Sequence, residues 1–378
     1  MEQIQLIATA AFGVEAVVAR ELQALGYTDT IVENGRVLFK GDLEAIARTN
    51  LWLRSAERVL LLVAEFEART FDELFDQTVS LPWSEWIGKD SQFPVQGKSV
   101  RSQLHSVPHC QSIVKKAVVE SLKKAYGTQW FSEDGPVYQI EVALLKDRVT
   151  LTIDTSGAGL HKRGYRQAAG EAPIKETLAA ALVQLSYWRS KRLLIDPFCG
   201  SGTIPIEAAL IGDNIAPGLT RRFAAEDWPQ LGQKLWTRVR AEASDLMQDK
   251  PMQIQGYDID GRVLGHARRN ADNAGVGEKI HFQRRAVREL STSAKYGVLI
   301  TNPPYGERLD ERRQVERLYK ELGAVTSQWD TWSIYVLTAH EGFERFYGRQ
   351  AKRKRKLYNG RIKCDYFQYP GPPPPGDR

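Results

Sequence analysis

From Ala172 onward the chain alternates helical segments with short, mostly apolar strand-like runs, and that alternation restricts it to a few folds. A helix over 175–188 precedes a strand over 192–196, and a strand over 253–258 precedes a helix over 261–274. Further strands at 279–283, 298–301 and 333–337 complete five. Short apolar strands separated by helices predict an α/β, doubly wound parallel sheet covered on both faces. Leu357-Tyr358-Asn359-Gly360-Arg361-Ile362 then places Asn-Gly between two strand-like runs, the strongest short hairpin signal. The sheet is therefore expected to end in an antiparallel strand.

The first 160 residues read differently. A strand at 4–8, an amphipathic helix at 14–25 closed by Gly26, and a strand at 36–39 open the chain. A helix at 42–50, an apolar strand at 58–63, a helix at 111–126 and strands at 138–145 and 149–154 follow. This order suggests small α+β layers rather than a parallel sheet. Residues 155–170 are glycine-rich and basic, as in a linker, and 371–378 begin Gly-Pro-Pro-Pro-Pro-Gly, which cannot pack into a core. The expected organisation is 1–160, then 161–370, then a disordered tail over 371–378.

Charge is unevenly spread. Residues 1–160 hold 16 Lys/Arg against 21 Asp/Glu, whereas residues 161–378 hold 36 against 25. The positive field that would draw a polyanion thus belongs to the second half. No apolar stretch is long enough for a membrane span, and the N-terminus has no signal-peptide pattern. Cys110, Cys199 and Cys364 are far apart and lack partners at ligand spacing, which points to a reducing, cytoplasmic setting and to no metal.

Three strand ends carry the chemistry. In Asp196-Pro197-Phe198-Cys199-Gly200-Ser201-Gly202-Thr203, the two glycines permit a tight turn and close backbone approach to a ligand. Neither a phosphate-loop lysine nor GxGxxG is present, which disfavours a triphosphate or a dinucleotide. Asp196 ends its strand where a carboxylate could pair with an ammonium, and Asp258 ends the next where it could accept from ribose hydroxyls. An acid for an amine and an acid for a ribose, with a glycine turn between, suit S-adenosylmethionine. The plainer alternative is that both aspartates only cap the helices that follow. Asn302-Pro303-Pro304-Tyr305 ends a third strand, because the prolines cannot extend it. An amide acceptor beside an aromatic face suits a planar ligand bearing an NH2 group.

Together, Asp-Pro-Phe-Cys-Gly-Ser-Gly-Thr-Ile-Pro-Ile-Glu at 196–207 and Asn-Pro-Pro-Tyr-Gly-Glu-Arg-Leu at 302–309 resemble class I methyltransferases that modify guanine N2 in RNA. Among these, the bacterial 23S rRNA guanine-N2 enzymes are the nearest likeness. Residues 156–166 and 172–178 resemble that family's domain junction and pre-sheet helix. Gly13-Val14-Glu15 and the stretch 99–124 resemble its ferredoxin-like and THUMP modules. The resemblance implies a Rossmann-like, seven-stranded methyltransferase sheet with an antiparallel hairpin strand, preceded by a ferredoxin-like/THUMP region. It implies S-adenosylmethionine as cofactor, with Asp196, Phe198, Gly200 and Gly202 lining the methionine end, Asp258 at the ribose and Ile259 beside the adenine. It further implies that Asn302 and the Pro303 carbonyl accept from the guanine amine while Tyr305 stacks on the base. The family often carries an acid after the third strand for the adenine amine; here Gln283-Arg284-Arg285-Ala286-Val287 has none. The insertion at 212–250 has no role legible in the sequence. Cys199 reads as a small packing residue.

Two basic clusters are candidate RNA contacts: Lys352, Arg353, Lys354, Arg355 and Lys356, and Lys115 with Lys116 on one helix. The partner expected is RNA, most simply ribosomal RNA, free or in a pre-ribosomal particle. A tRNA guanine-N2 methyltransferase is the rival reading. Adenine-N6 DNA enzymes and protein-glutamine enzymes also use Asn-Pro-Pro-Tyr, and a non-catalytic RNA-binding assembly protein is a further alternative.

Overall fold

The computed structural model describes residues 3–166, 174–306 and 309–376. Gly170 and Ala172-Pro173 of the junction, Glu307-Arg308 of the second motif and the last two tail residues lie outside them. The chain forms two compact units, the first from 1–9, 21–160 and 222–242, the second from 10–20, 161–221 and 243–378.

The N-terminal part of the chain carries β1 (Ile4–Ala10), α1 (Glu15–Ala24), β2 (Thr30–Glu33), β3 (Arg36–Gly41), α2 (Leu43–Trp52), β4 (Ala56–Glu67) and α3 (Phe71–Val79). It continues with β5 (Val95–Val100), α4 (Val107–Tyr126), β6 (Ile140–Leu145) and β7 (Arg148–Asp154). Its strands form one sheet in the order β2-β3-β1-β4-β7-β6-β5, in which β5 runs parallel to β6. Local chemistry sets the helix starts. The Asp42 carboxylate accepts from the Ala45 amide at 3.0 Å, and Thr70 with Glu73 closes a reciprocal capping box over α3. Leu6, Ile7, Ile46, Leu51 and Trp83 are fully buried in its core.

The C-terminal part of the chain holds α5 (Glu176–Leu185), β8 (Leu194–Asp196), α6 (Thr203–Gly212), β9 (Ile254–Asp258), α8 (Gly261–Asn273) and β10 (Ile280–Arg284), with α7 (Gly232–Asp245) falling between α6 and β9. Then come β11 (Val298–Thr301), α9 (Leu309–Thr326), β12 (Ser333–Thr338), α10 (Phe343–Tyr347), β13 (Arg353–Asn359) and β14 (Ile362–Tyr369). The sheet order is β10-β9-β8-β11-β12-β14-β13. The first five strands are parallel, and β14 joins antiparallel to both β12 and β13. Every residue of β11 and β12 is buried, as their continuous apolar runs require. Leu299, Tyr319, Ile334, Val336, Phe343 and Phe367 belong to one core cluster. Gly371, the first tail residue, donates its amide to Ser333 Oγ at 3.1 Å.

Where the sequence divides once, at 160/161, the folded chain exchanges two segments. Residues 222–242 of the insertion belong to the first unit, where Trp228 stacks on Tyr138 with centroids 4.6 Å apart and its indole N–H donates to the Val137 carbonyl. Residues 10–20 belong to the second.

Candidate active site

β8 lies between β9 and β11, so the loops leaving its carboxyl end and those of its neighbours open at the point where strand order reverses. That edge gathers Asp196, Asp258 and Asn302.

Asp196 is 1% exposed. Its Oδ1 accepts from the Thr301 hydroxyl at 2.6 Å and from the Phe198 amide at 3.1 Å. Burial pushes its carboxyl up to about 7, and the Asp258 charge adds to the rise against the pull of those two hydrogen bonds. A single carboxyl held this way is poised to ionise fully once a cation is brought against it.

The two glycines of the turn do different work. Gly200, at φ 53°, donates its amide to Asp258 Oδ2 at 3.1 Å, and a Cβ there would meet only open space. It leaves the turn's backbone open on that side. Gly202, at φ 84°, starts α6; a Cβ there would lie 3.0 Å from the Phe282 ring and 3.1 Å from Ala267 Cβ. It serves close packing of the helix on the sheet. Asp258 also accepts from the Asp260 amide at 3.0 Å, and Ile259 beside it is 65% exposed. Phe198 is half-buried on the core side of the turn. Cys199 is buried and its thiol is pushed well up by desolvation, which suppresses the thiolate a nucleophile needs.

Asn302 and Tyr305 meet, but through their polar ends. The Tyr305 hydroxyl donates to Asn302 Oδ1 at 2.5 Å and receives Asn359 Nδ2 at 3.3 Å and the Cys364 thiol at 3.5 Å. Burial pushes this phenol far up, so it stays a donor. The turn is held from behind by Tyr319, which donates to the Pro304 carbonyl at 2.7 Å. Pro303 is buried.

Asn359, Cys364 and Tyr319 escape a reading of the sequence, because each reaches the turn only through sheet pairing or helix packing; the role of Thr301 escapes it because its hydroxyl serves Asp196 on the next strand. A buried cluster near the first motif is equally hidden. Arg163 and Tyr165 both face Glu207 Oε1, while Arg166 donates to Thr203 Oγ1 at 2.8 Å.

The basic candidates divide. Lys352, Arg353, Lys354 and Lys356 are exposed on or beside β13, the sheet's edge strand, and Arg355 is half-buried; Lys354 is ion-paired with Glu344. Lys115 is committed internally, to the Phe93 carbonyl, to Glu133 and over the Phe93 ring. Lys116 is exposed, with its ammonium 5.4 Å from the Phe75 ring centre. Among the described residues no cluster of three or more His, Cys, Asp or Glu could hold a metal ion, and no helix is long and apolar enough to cross a membrane.

Residues 163–368 match the family model of UPF0020, the RMKL-like methyltransferase domain; 5–60 match the RlmL ferredoxin-like domain and 68–154 the THUMP domain. A Bacillus subtilis (strain 168) protein named "Putative RNA methyltransferase YpsC" is 54% identical over 372 residues, covering 98% of this chain and 96% of its own. The solved structure titled a "predicted N6-adenine-specific DNA methylase" from Listeria monocytogenes str. 4b F2365 is 54% identical, with a TM-score of 0.94 over 98% of this chain and 97% of its own. SMU.472, titled "a putative methyltransferase complexed with SAH", is 47% identical, with a TM-score of 0.94 over 99% of each chain.

Proposed function

The chain belongs to the RMKL-like methyltransferase family, and from that premise we propose that it methylates the exocyclic N2 amine of a guanine in RNA, with 23S rRNA as the target. The THUMP and ferredoxin-like matches support RNA as the substrate over the DNA named for the Listeria protein, and the cytoplasm is where such RNA is met. The observation that carries the choice of an amine is the orientation of Asn302, whose side-chain oxygen is fixed as an acceptor by the Tyr305 hydroxyl.

The residues fit S-adenosylmethionine: open space over Gly200, a buried Asp196 for the ammonium, Asp258 for the ribose and exposed Ile259 for the adenine. Bound there, it supplies an electrophilic methyl group on a sulfonium. Asn302 Oδ1 and the Pro303 carbonyl accept the two N–H hydrogens of the guanine amine and draw its lone pair out of conjugation with the ring. Neither is basic enough to take the proton, so the site works by orientation and by stabilising positive charge as it develops on nitrogen, and the methylated ammonium then gives its proton to water. The Tyr305 ring, tethered at its hydroxyl, is the stacking surface for the base. That base must leave its helix to reach the turn. Lys352 to Lys356 and Lys116 are proposed phosphate contacts.

The test is transfer of labelled methyl groups to deproteinised RNA separated into 23S, 16S and tRNA, followed by nucleoside analysis. Label in 23S as N2-methylguanosine is expected. The same nucleoside in tRNA moves the target, and label as N6-methyladenine in added DNA overturns the reading. Asn302→Ala should lower kcat by about 10²-fold or more while cofactor affinity survives; near-normal kcat removes Asn302 from the mechanism.

A further inference from the structure

Two large aromatic rings stand exposed at the hairpin next to the Asn-Pro-Pro-Tyr turn. Phe12 is 49% exposed and Tyr358 is 36% exposed, and they meet edge to face, with centroids 5.9 Å apart and planes at 88°. Single exposed aromatics are ordinary on protein surfaces, but a contacting pair in a charged setting is not. The pair is also built. Gly13 brings the Phe12 segment against β13 so closely that a Cβ would lie 2.3 Å from the Lys356 carbonyl, and the Glu15 carboxylate accepts from the Gly13 amide at 2.8 Å. These contacts seat the backbone beside Phe12 against β13.

The surroundings are cationic. Lys356 precedes Tyr358 by two residues on the same face of the strand, Lys363 lies directly across the ladder from Tyr358, and Arg361 sits in the turn. All three are exposed, while Asp365, opposite Lys356, is half-buried. From Arg345 to Cys364 the sequence contains no acid. Aromatic faces among cations match the two parts of a nucleotide, a stackable base and a phosphate.

Position links this pair to the reaction. Asn359, the residue after Tyr358, donates to the Tyr305 hydroxyl, which in turn fixes Asn302. We propose that Phe12 and Tyr358 form a stacking subsite for the unpaired RNA nucleotide adjoining the target base, with Lys356, Arg361 and Lys363 on its phosphates. This rests on the reading that RNA is the substrate. Stacking on a neighbour of the extruded base holds the strand open and delivers the target to the turn in one register.

The full-length protein is titrated, by fluorescence anisotropy, with two fluorescein-labelled 12-nucleotide chains, one oligo(A) RNA and the other its abasic ribose-phosphate equivalent. The wild type should prefer oligo(A) by about tenfold per stacked base. In Phe12→Ala/Tyr358→Ala that preference should fall by about tenfold, with affinity for the abasic chain and for S-adenosylhomocysteine unchanged. Tyr358→Phe should retain it, since the ring and not the hydroxyl is at work. An undiminished preference in the double variant, or none in the wild type, overturns the subsite. Methyl transfer to RNA by a wild type lacking the preference would sink the subsite alone. The preference without methyl transfer to any RNA would sink the substrate reading and, with it, the assignment of the stacked base as the target's neighbour, leaving only a nucleotide-stacking surface.

Discussion

Asp196 should make cofactor binding pH-dependent in a defined direction. Its carboxyl sits at about 7 against an ordinary 3.8, chiefly because burial penalises the charge. The folded protein therefore holds a proton there that the unfolded chain has lost between about pH 4 and 7. Stability from this group is highest at low pH and falls as pH rises through that window, by about 4 kcal/mol in all at about 1.4 kcal/mol per pH unit. An ammonium brought against the carboxylate offsets that loss, so binding selects the ionised form and releases a proton when Asp196 is protonated. The ionised fraction drops from roughly three quarters at pH 7.5 to roughly a tenth at pH 6, so the Kd for S-adenosylhomocysteine should rise about eightfold. The α-amino group of S-adenosylhomocysteine has its own carboxylate beside it, which raises it above the peptide α-amino range and keeps it mostly charged across this window. Isothermal titration in buffers of different ionisation enthalpy reads both quantities, the affinity and the protons released. Release should approach one proton at pH 6 and about a quarter at pH 7.5. Asp196→Asn should bind more weakly at pH 7.5 and lose the slope. A wild-type affinity flat across the window, or a slope that survives in Asp196→Asn, would refute the assignment of the ammonium to this carboxylate.

The two glycines of the same turn should separate cleanly. Gly202→Ala places a Cβ against Phe282 and Ala267 at a left-handed φ and should lower stability to urea by about 2–3 kcal/mol. Gly200→Ala meets open space and should cost only about 1 kcal/mol, yet weaken S-adenosylhomocysteine roughly tenfold because its methyl enters the cradle. Equal effects on both properties would refute the division. Trp228→Ala, which removes a ring 1% exposed and stacked on Tyr138, should destabilise the first unit by about 3–5 kcal/mol in urea unfolding. A loss under 1 kcal/mol would mean the insertion contributes little to that core. Tyr305→Phe removes the hydroxyl that orients Asn302 and should lower kcat about tenfold with cofactor affinity intact. Unchanged kcat would leave the phenol without a positioning role.

The legible parts of the fold are those whose cause is local. β11 and β12 are buried on both faces, so their sequences are continuous apolar runs, and Asn359-Gly360 supplies the backbone freedom a tight hairpin demands. β2 and β5 are edge strands at opposite ends of the first sheet, and β5 alternates half-buried with exposed residues over Val-Gln-Gly-Lys-Ser-Val. Nothing in so polar a run announces a strand, because its partner β6 lies beyond the twenty residues of α4. The exchange of 222–242 is hidden for the same reason. Trp228 reads as one more apolar residue of an insertion until Tyr138, ninety positions earlier, is set beneath it.

At the site, residue types were legible and their couplings were not. Strand ends must be followed by a turn, so an acid or an amide placed there announces itself as a possible ligand, as Asp196, Asp258 and Asn302 do. What each can do depends on atoms the strand next door supplies. Thr301 comes one residue before Asn302 in sequence, yet its hydroxyl crosses to the neighbouring strand and serves Asp196, so one residue pair joins the two motifs. Tyr305 shows the same dependence more sharply. Read alone it is a free aromatic face; in the fold its hydroxyl is engaged by Asn302, Asn359 and Cys364, two of them from the terminal hairpin. The Asn-Pro-Pro-Tyr turn is therefore incomplete without β13 and β14. The prolines fix where the backbone goes, but the hairpin fixes where the acceptor points, and a truncation that spares the motif while removing the hairpin should still leave Asn302 disoriented.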